Sequence, residues 1–456
     1  MFEKLVAVTE FLWGTPLMIL TVGVGFFLTY KIGFFQFTHI RYIFQKTIGT
    51  MFGKNTKKIE GKGKLSPFQA LSTVLAGTVG SGNIAGVASA IAIGGPGSVF
   101  WMWVISLFGM VTKMTEVTLA VHYRKKGENG DYYGGPMHYI KDGLGSKWKT
   151  LASVYAIALL ILVVTDATFI QPNTMATAVQ DVFGIPLIIT GVVSVLISMI
   201  IIVGGGVKRI GEFCSILVPP MCIIYIIAAL GVAVVNINQL PEVFALIFKY
   251  AFAPSPAVGG FVGSTIMMAM SRGASRGIFS NEAGLGTAST VHATAITDHP
   301  IRQGMWGVIE VFVDTGIICN LTAFAILSSG EWSSGVTGAP LTFAAFRTVW
   351  GDLGLILVCI AVVLFTYSST LGFFVEYKAS INYLFGEKAE KVLKWFYFVP
   401  PIIAVIMPIE VVWTMADMAC GFLMIPNLIA LVALSGVFAK LFKDFLQKDK
   451  IGSNDV

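Results

Sequence analysis

Apolar residues gather into eleven runs along the chain, near 13–35, 67–93, 97–122, 151–180, 184–205, 211–236, 258–291, 301–328, 353–383, 395–414 and 417–442. Each is close to or beyond the roughly 20 residues that a helix needs to cross the hydrocarbon of a bilayer. The second run is unlike the rest. Between Leu75 and Gly86 it carries Gly77, Gly80, Gly82 and Gly86, with Thr78, Ser81 and Asn83 among them. An interior glycine costs a helix about 0.5–1 kcal/mol relative to alanine, so this stretch predicts a break. Broken backbone inside a membrane is tolerated only where it lines a cavity or is buried in protein. The run near 258–291 is also too long for one span, and an interruption is expected at Ser271-Arg272-Gly273-Ala274-Ser275-Arg276-Gly277.

With the first run set aside, ten remain and divide as five plus five. An odd number of crossings per unit makes the second unit enter from the opposite face, which is an inverted repeat. The two interrupted runs then hold corresponding first positions, the best sequence pointer to a binding site at the midplane. The expected organisation is an extra N-terminal span and basic loop over 1–66, a first repeat over 67–236, a second over 237–442, and a tail over 443–456. The short apolar stretches 241–250 and 337–350, the latter with Pro340, read as surface or lid helices. The end from Gln447 to Val456 is polar and reads as disordered.

Composition agrees with a membrane protein: the 456 residues are 55% hydrophobic and 12% charged, with a mean hydropathy of +0.79. The net charge of +6 lies between the apolar runs, where it sets topology and argues for no nucleic-acid partner. Arg41, Lys46, Lys54, Lys57, Lys58, Lys62 and Lys64 follow the first run; Arg124, Lys125, Lys126, Lys141, Lys147 and Lys149 follow the third. Lys208 and Arg209 follow the fifth, Lys388, Lys391 and Lys394 precede the tenth, and Lys440, Lys443, Lys448 and Lys450 close the chain. All fall on one side of a bilayer, while Lys4, Lys249 and Arg347 fall on the other. Positive charge stays inside, so the N-terminus is expected outside and the C-terminus in the cytoplasm of a multi-pass plasma-membrane protein. The N-terminus lacks the basic region and cleavage site of a signal peptide, so the first span is expected to be retained. Five scattered cysteines and five scattered histidines show no metal or disulfide spacing.

A broken membrane helix offers free N–H groups at the start of its distal half and free carbonyls at the end of its proximal half. Thr78, Gly80, Ser81, Gly82 and Asn83 are therefore candidates for holding an anion such as a carboxylate, and Ala76 and Val79 for holding a small hard cation. Close helix packing through Gly82 and Gly86 is the structural alternative. In the second interruption, Arg272 and Arg276 either bind a substrate carboxylate or pair with Glu282, Asp314 or Glu116 to hold the helix. Thr366, Ser369 and Thr370 in the ninth run share one helical face and would complete a five-oxygen cage for Na⁺, unless their hydroxyls simply bond their own helix. Gln171 and Asn173, beside Pro172, either face the substrate or join helices. Asp166 could carry a proton, and Lys113 with Glu116 reads as a structural pair. Gly204-Gly205-Gly206 lacks a following GK[ST] and is a turn. With no nucleophile–base pair, phosphate loop or metal spacing, an enzyme ranks last among the classes and neither catalysis nor an organic cofactor is expected.

The segment Gly94-Gly95-Pro96-Gly97-Ser98-Val99-Phe100-Trp101-Met102-Trp103-Val104-Ile105-Ser106-Leu107-Phe108-Gly109 resembles the signature of the alanine-or-glycine:cation symporter family, and Asn281-Glu282-Ala283-Gly284-Leu285-Gly286-Thr287-Ala288 resembles a second hallmark. The resemblance spans essentially the whole chain. It implies an all-α polytopic protein with a LeuT-like 5+5 inverted repeat plus one extra N-terminal helix. It also implies Na⁺-coupled uptake of alanine or glycine, with protons as the rival coupling ion. Thr78-Val79-Gly80-Ser81-Gly82-Asn83 is similar to the break of LeuT-like sodium symporters, which implies carboxylate binding at Ser81 and Gly82. It also implies a sodium site at Ala76, Val79, Thr366, Ser369 and Thr370. The expected activity is alternating-access symport of a small neutral amino acid; a channel or receptor is the other class.

Overall fold

The computed structural model describes residues 8–9, 11–13, 15–52, 61–128 and 130–449, so Lys4, Lys54, Lys57, Lys58, Lys450 and the last tail residues lie outside it. Among the described residues the chain is helical apart from one short hairpin and isolated bridges.

The first run forms α1 (Thr15–Lys31). The second is split as the glycines require. α2 (Pro67–Thr78) starts on a capping box, with Ser66 Oγ accepting from Gln69 N at 3.1 Å and Gln69 Oε1 accepting from Ser66 N at 2.9 Å. It stops at Val79 (φ −79°, ψ 86°), passes through a π-turn at Gly82–Gly86, and resumes as α3 (Val87–Gly94), bent by 50°. α4 (Ser98–His122) follows, then α5 (Lys149–Thr165) and α6 (Gln171–Phe183), joined through a π-turn at Asp166–Ile170. The fifth and sixth runs form α7 (Leu187–Val235), which is two helices meeting at Gly206 (φ 58°, ψ −148°), the last residue of the expected glycine turn.

The seventh run departs from expectation. α8 (Ile266–Asn281) runs without interruption through Ser271–Gly277. The break comes after it, at Glu282 (φ 55°), Gly284 (φ 96°) and Gly286 (φ 78°). A helix interior absorbs two glycines when close packing demands them, but it cannot continue through a run of left-handed residues. α9 (Pro300–Val311) and α10 (Asn320–Ser328) enclose a π-helical stretch, Phe312–Cys319. α11 (Asp352–Leu393) kinks at Gly386. The tenth and eleventh runs lie earlier than read: helical segments at Lys394–Phe398 and Pro400–Ala404 precede α12 (Ile409–Ala433), and a separate α13 (Ser435–Lys448) closes the fold. Phe438, Phe442 and Phe445 form the buried stripe of α13, so residues read as the end of a span and the start of a polar tail form a docked amphipathic helix. The two short apolar stretches are helices as expected, Leu240–Phe252 and Ala339–Trp350.

Among the described residues, six helices are individually long and apolar enough to cross a membrane, and the bent pair makes a seventh. Two of the six contain two runs each; α1 is apolar but shorter, and α8 is 16 residues long and carries two arginines. α4 packs on α8 and α9, whereas α11 packs on α5, α6 and α7. α2 lies between the two groups, touching α7, α9 and α11.

α2 and α11 approach closely at Gly372. A Cβ there would lie 2.7 Å from both Gly77 N and Thr73 O, so α11 meets α2 backbone to backbone just below the break. Gly372→Ala is expected to cost about 1–3 kcal/mol through overpacking. Gly23→Ala on α1, with nothing within 4 Å of the new methyl, is expected to cost nothing. Thermal unfolding in detergent distinguishes the two: a lowered Tm for the first only.

Candidate functional site

The first break is held from three sides. Gly80 N donates to Asn83 Oδ1 at 2.9 Å, and Ser81 N donates to Gln171 Oε1 at 3.1 Å. Gln171 Nε2 in turn donates to Asp166 Oδ1 at 2.6 Å, so the polar cluster of the fourth run does reach the break. Asn83 Nδ2 donates to Asp314 Oδ1 at 2.6 Å. The other oxygen of Asp314 accepts from Ser280 Oγ at 2.8 Å and Thr315 Oγ1 at 2.9 Å. Ser280 is on the last turn of α8, next to the second break, and Asn281 donates to Thr315 Oγ1 at 3.0 Å. One buried carboxylate therefore joins the first break to the end of the helix that leads into the second. Ser81 Oγ is buried and has no hydrogen-bond partner among the described residues. Gly82 faces α8, where a Cβ would lie 3.3 Å from Phe279 Cδ1. Thr78 bonds back to Val74 O at 3.2 Å within its own helix.

The carbonyl end of α2 meets α11, but not through all the expected hydroxyls. Thr366 Oγ1 donates to Val362 O of its own helix at 2.6 Å. Thr370 Oγ1 donates to Ala167 O at 3.2 Å and to Thr366 O at 3.1 Å, towards the α5–α6 junction. Ser369 does approach: a Cβ on Gly80 would lie 2.5 Å from its Oγ. Ser368, which the sequence reading passed over, reaches Ala76 O at 3.4 Å. Both serines also donate to Phe365 O at 2.9 Å. The oxygens gathered at the end of α2 are thus Ala76 O, Ser368 Oγ, Ser369 Oγ and Phe365 O, beside Val79. Of the helical stripe Thr366, Ser369 and Thr370, only Ser369 faces the break, and the two threonines bond to their own helix and to Ala167.

The residues expected at a second interruption divide by face. Ser271 Oγ donates to Trp13 O at 3.2 Å, Gly273 is pressed against Ser98 O of α4, and Gly277 lies 3.5 Å from Met102 Cα by its would-be Cβ. Ala274 borders an apolar groove between α1 and α4, and Ser275 Oγ bonds to Arg272 O at 3.3 Å. These five are packing residues. Arg272 and Arg276 face the other way and line a cavity of about 440 Å³ with Ser89, Asn173, Asp181, Phe343 and Trp413. Arg276 pairs with Asp417 of α12, none of the three expected partners, through two bonds of 2.9 and 2.8 Å, and its guanidinium lies 4.8 Å from the Trp413 ring centre. Asn173 touches the cavity, yet its amide donates to Ala404 O and Met407 O at 2.8 and 3.1 Å and so joins helices. The helix expected near Pro340 as a surface or lid element lines one wall of the cavity with Ala339, Pro340 and Phe343, and Thr342 Oγ1 donates to Ile84 O at 3.2 Å. Lys113 pairs with Glu310 at 2.9 Å instead of Glu116, which accepts from Gly284 N at 2.9 Å and Asn427 Nδ2 at 2.6 Å.

Removing one member of a buried ion pair strands the other, at about 3–5 kcal/mol, whereas removing both is far cheaper. Asp417→Asn or Arg276→Gln alone is expected to lower Tm clearly, and the double substitution to recover most of the loss. Additive losses in the double variant would show that Arg276 is held by something other than Asp417.

Residues 1–456 match the family described as the sodium:alanine symporter family. The chain is 40% identical over 453 residues to the uncharacterized transporter YflA of Bacillus subtilis, covering 98% of this chain and 94% of that one. It is 37% identical over 444 residues to the sodium/alanine symporter AgcS of Methanococcus maripaludis, covering 96% of each. Among solved structures, MhsT in complex with L-phenylalanine superposes with a TM-score of 0.57 at 14% identity, covering 84% of this chain and 95% of that one, a likeness of fold. The chain belongs to the sodium:alanine symporter family, as a multi-pass, cation-coupled amino acid symporter of LeuT-like fold and not an enzyme.

Proposed function

We propose that the chain imports alanine and glycine with Na⁺, the N-terminus outside and the C-terminus in the cytoplasm. The observation that carries this is the end of α2, where the helix stops inside a buried apolar span and sets the Ala76 carbonyl beside Ser368 and Ser369. Carbonyl and hydroxyl oxygens without a fixed charge suit a monovalent hard cation. A sodium ion there draws α11 onto α2 and favours the conformation in which the amides at Ser81–Asn83 are set for a carboxylate. Sodium can drive uptake only through such a difference in affinity between conformations. Gln171 Oε1 already accepts from Ser81 N, and in this reading it occupies the place of a substrate carboxylate oxygen. The closeness of Phe279 to Gly82 favours a small side chain, although one methylene is worth only about 1–3 kcal/mol of discrimination.

On this topology the 440 Å³ cavity, bordered by Ile93, Asp181 and Thr337, opens outward, and the basic loops face the cytoplasm. A proton is the second reading for the coupling ion, supported by Asp166, which lies one side chain from the break through Gln171.

Uptake of labelled alanine into proteoliposomes tests both. With Na⁺ replaced by choline at constant pH, uptake is expected to vanish, and an imposed pH gradient is expected not to restore it. Ser368→Ala and Ser369→Ala are each expected to raise the half-saturating Na⁺ concentration about tenfold, the scale of one or two lost ligand contacts. Thr366→Ala should leave it within about twofold. Equal effects of all three substitutions would sink the sodium assignment.

A further inference from the structure

At the end of the bundle opposite the cavity, the chain entering α2 pairs with the chain leaving the second break. Lys64 N donates to Thr294 O at 2.8 Å, and Ile296 N donates to Leu65 O at 2.7 Å. Arg124, just past the end of α4, adds bonds to Ala293 O at 2.9 Å, Ala295 O at 2.6 Å and Lys62 O. The foot of α2, the exit of the second break and the end of α4 therefore form one bonded unit. From it projects a hairpin whose strands, Lys125–Lys126 and Tyr132–Tyr133, carry Asp131 across to α11. There Asp131 Oδ2 lies 2.6 Å from Lys378 Nζ, while Oδ1 is bonded to Lys64. Glu390, beyond the Gly386 kink, reinforces the join: its carboxylate lies 3.2 Å from Lys378 Nζ and accepts from Tyr133 OH at 3.2 Å. Between Lys64, Asp131, Thr290, Val375, Lys378 and Ala379 there remains about 10 Å³, room for about one water and no path for an amino acid.

We infer that Asp131 is the positioning residue of the inner gate, a carboxylate that closes the cytoplasmic exit by holding Lys64 of the moving α2 unit against Lys378 of α11. The inference rests on the orientation proposed above. Release of substrate to the cytoplasm requires α2 to leave α11 at this end, and it cannot while one carboxylate holds both lysines. The Asp131–Lys378 pair is largely buried, at 9% and 14% side-chain exposure, so water does little to loosen it, while Lys64 is 35% exposed and holds its end less firmly.

The test is the access of a charged thiol reagent to Ala379→Cys, a small substitution on the wall of the sealed space. The five native cysteines are buried, and the parent without Ala379→Cys gives the background. In inside-out vesicles, Asp131→Asn is expected to raise the labelling rate about tenfold or more, within the usual range of conformational coupling. Asp131→Glu, which keeps the charge, should restore slow labelling, as loss of mere packing would not predict. Lys64→Gln, which leaves the pair with Lys378, should give an intermediate rate and carries the test if Asp131→Asn fails to reach the membrane. Unchanged labelling in Asp131→Asn and Lys64→Gln, or equally fast labelling in Asp131→Glu, overturns the gate. Fast labelling confined to right-side-out vesicles would support the gate but overturn the orientation.

Discussion

The bond network around Asp314 is the constraint on which the interior depends. Helices that stop inside a membrane leave backbone groups that water cannot satisfy. Here the first break is bound through Asn83 to Asp314, and Asp314 through Ser280 to the turn preceding the second break. The carboxylate is wholly buried and is met by three side-chain donors, the condition under which a charge inside the bilayer is tolerable. It lies in the π-helical stretch of the α9–α10 helix, whose widened turn is a frequent feature of functional sites.

The remaining polar contacts are arranged around that tie. Above it, Arg276 and Asp417 join α8 to α12 beside the cavity. Below it, the hairpin carboxylate joins the foot of α2 to α11. α2 is thus the element shared between two packed groups. It is bonded firmly to the α4–α8–α9 group through Asp314 and the Leu65–Thr294 pairing. It meets α11 through a glycine contact, serine hydroxyls and separable ion pairs.

Much of this was legible in the chain. The apolar runs, their lengths and the charge between them follow from hydrocarbon thickness and the cost of burying charge, and these are local properties. The first break was legible for the same reason: four glycines with no side chain to pack weaken a helix wherever it lies. The second was misplaced, because Gly273 and Gly277 look identical in sequence to helix-breaking glycines but serve the contact of α8 with Ser98 and Met102. The true break turns on Glu282 in a left-handed conformation, which no propensity assigns to glutamate.

What the sequence by itself determined is an all-helical membrane protein with an interrupted second span and hydroxyl-bearing residues on one face of the ninth run. Periodicity puts residues on a common face, but only the tertiary structure decides which neighbour that face meets. Thr366 and Thr370 turned to their own helix and to Ala167, and Ser368 reached Ala76. Arg276 found Asp417 at 141 residues' separation, and Asp314 found Asn83 at 231. Such pairings depend on helix rotation and crossing, set by the whole bundle's packing, so no local pattern encodes them.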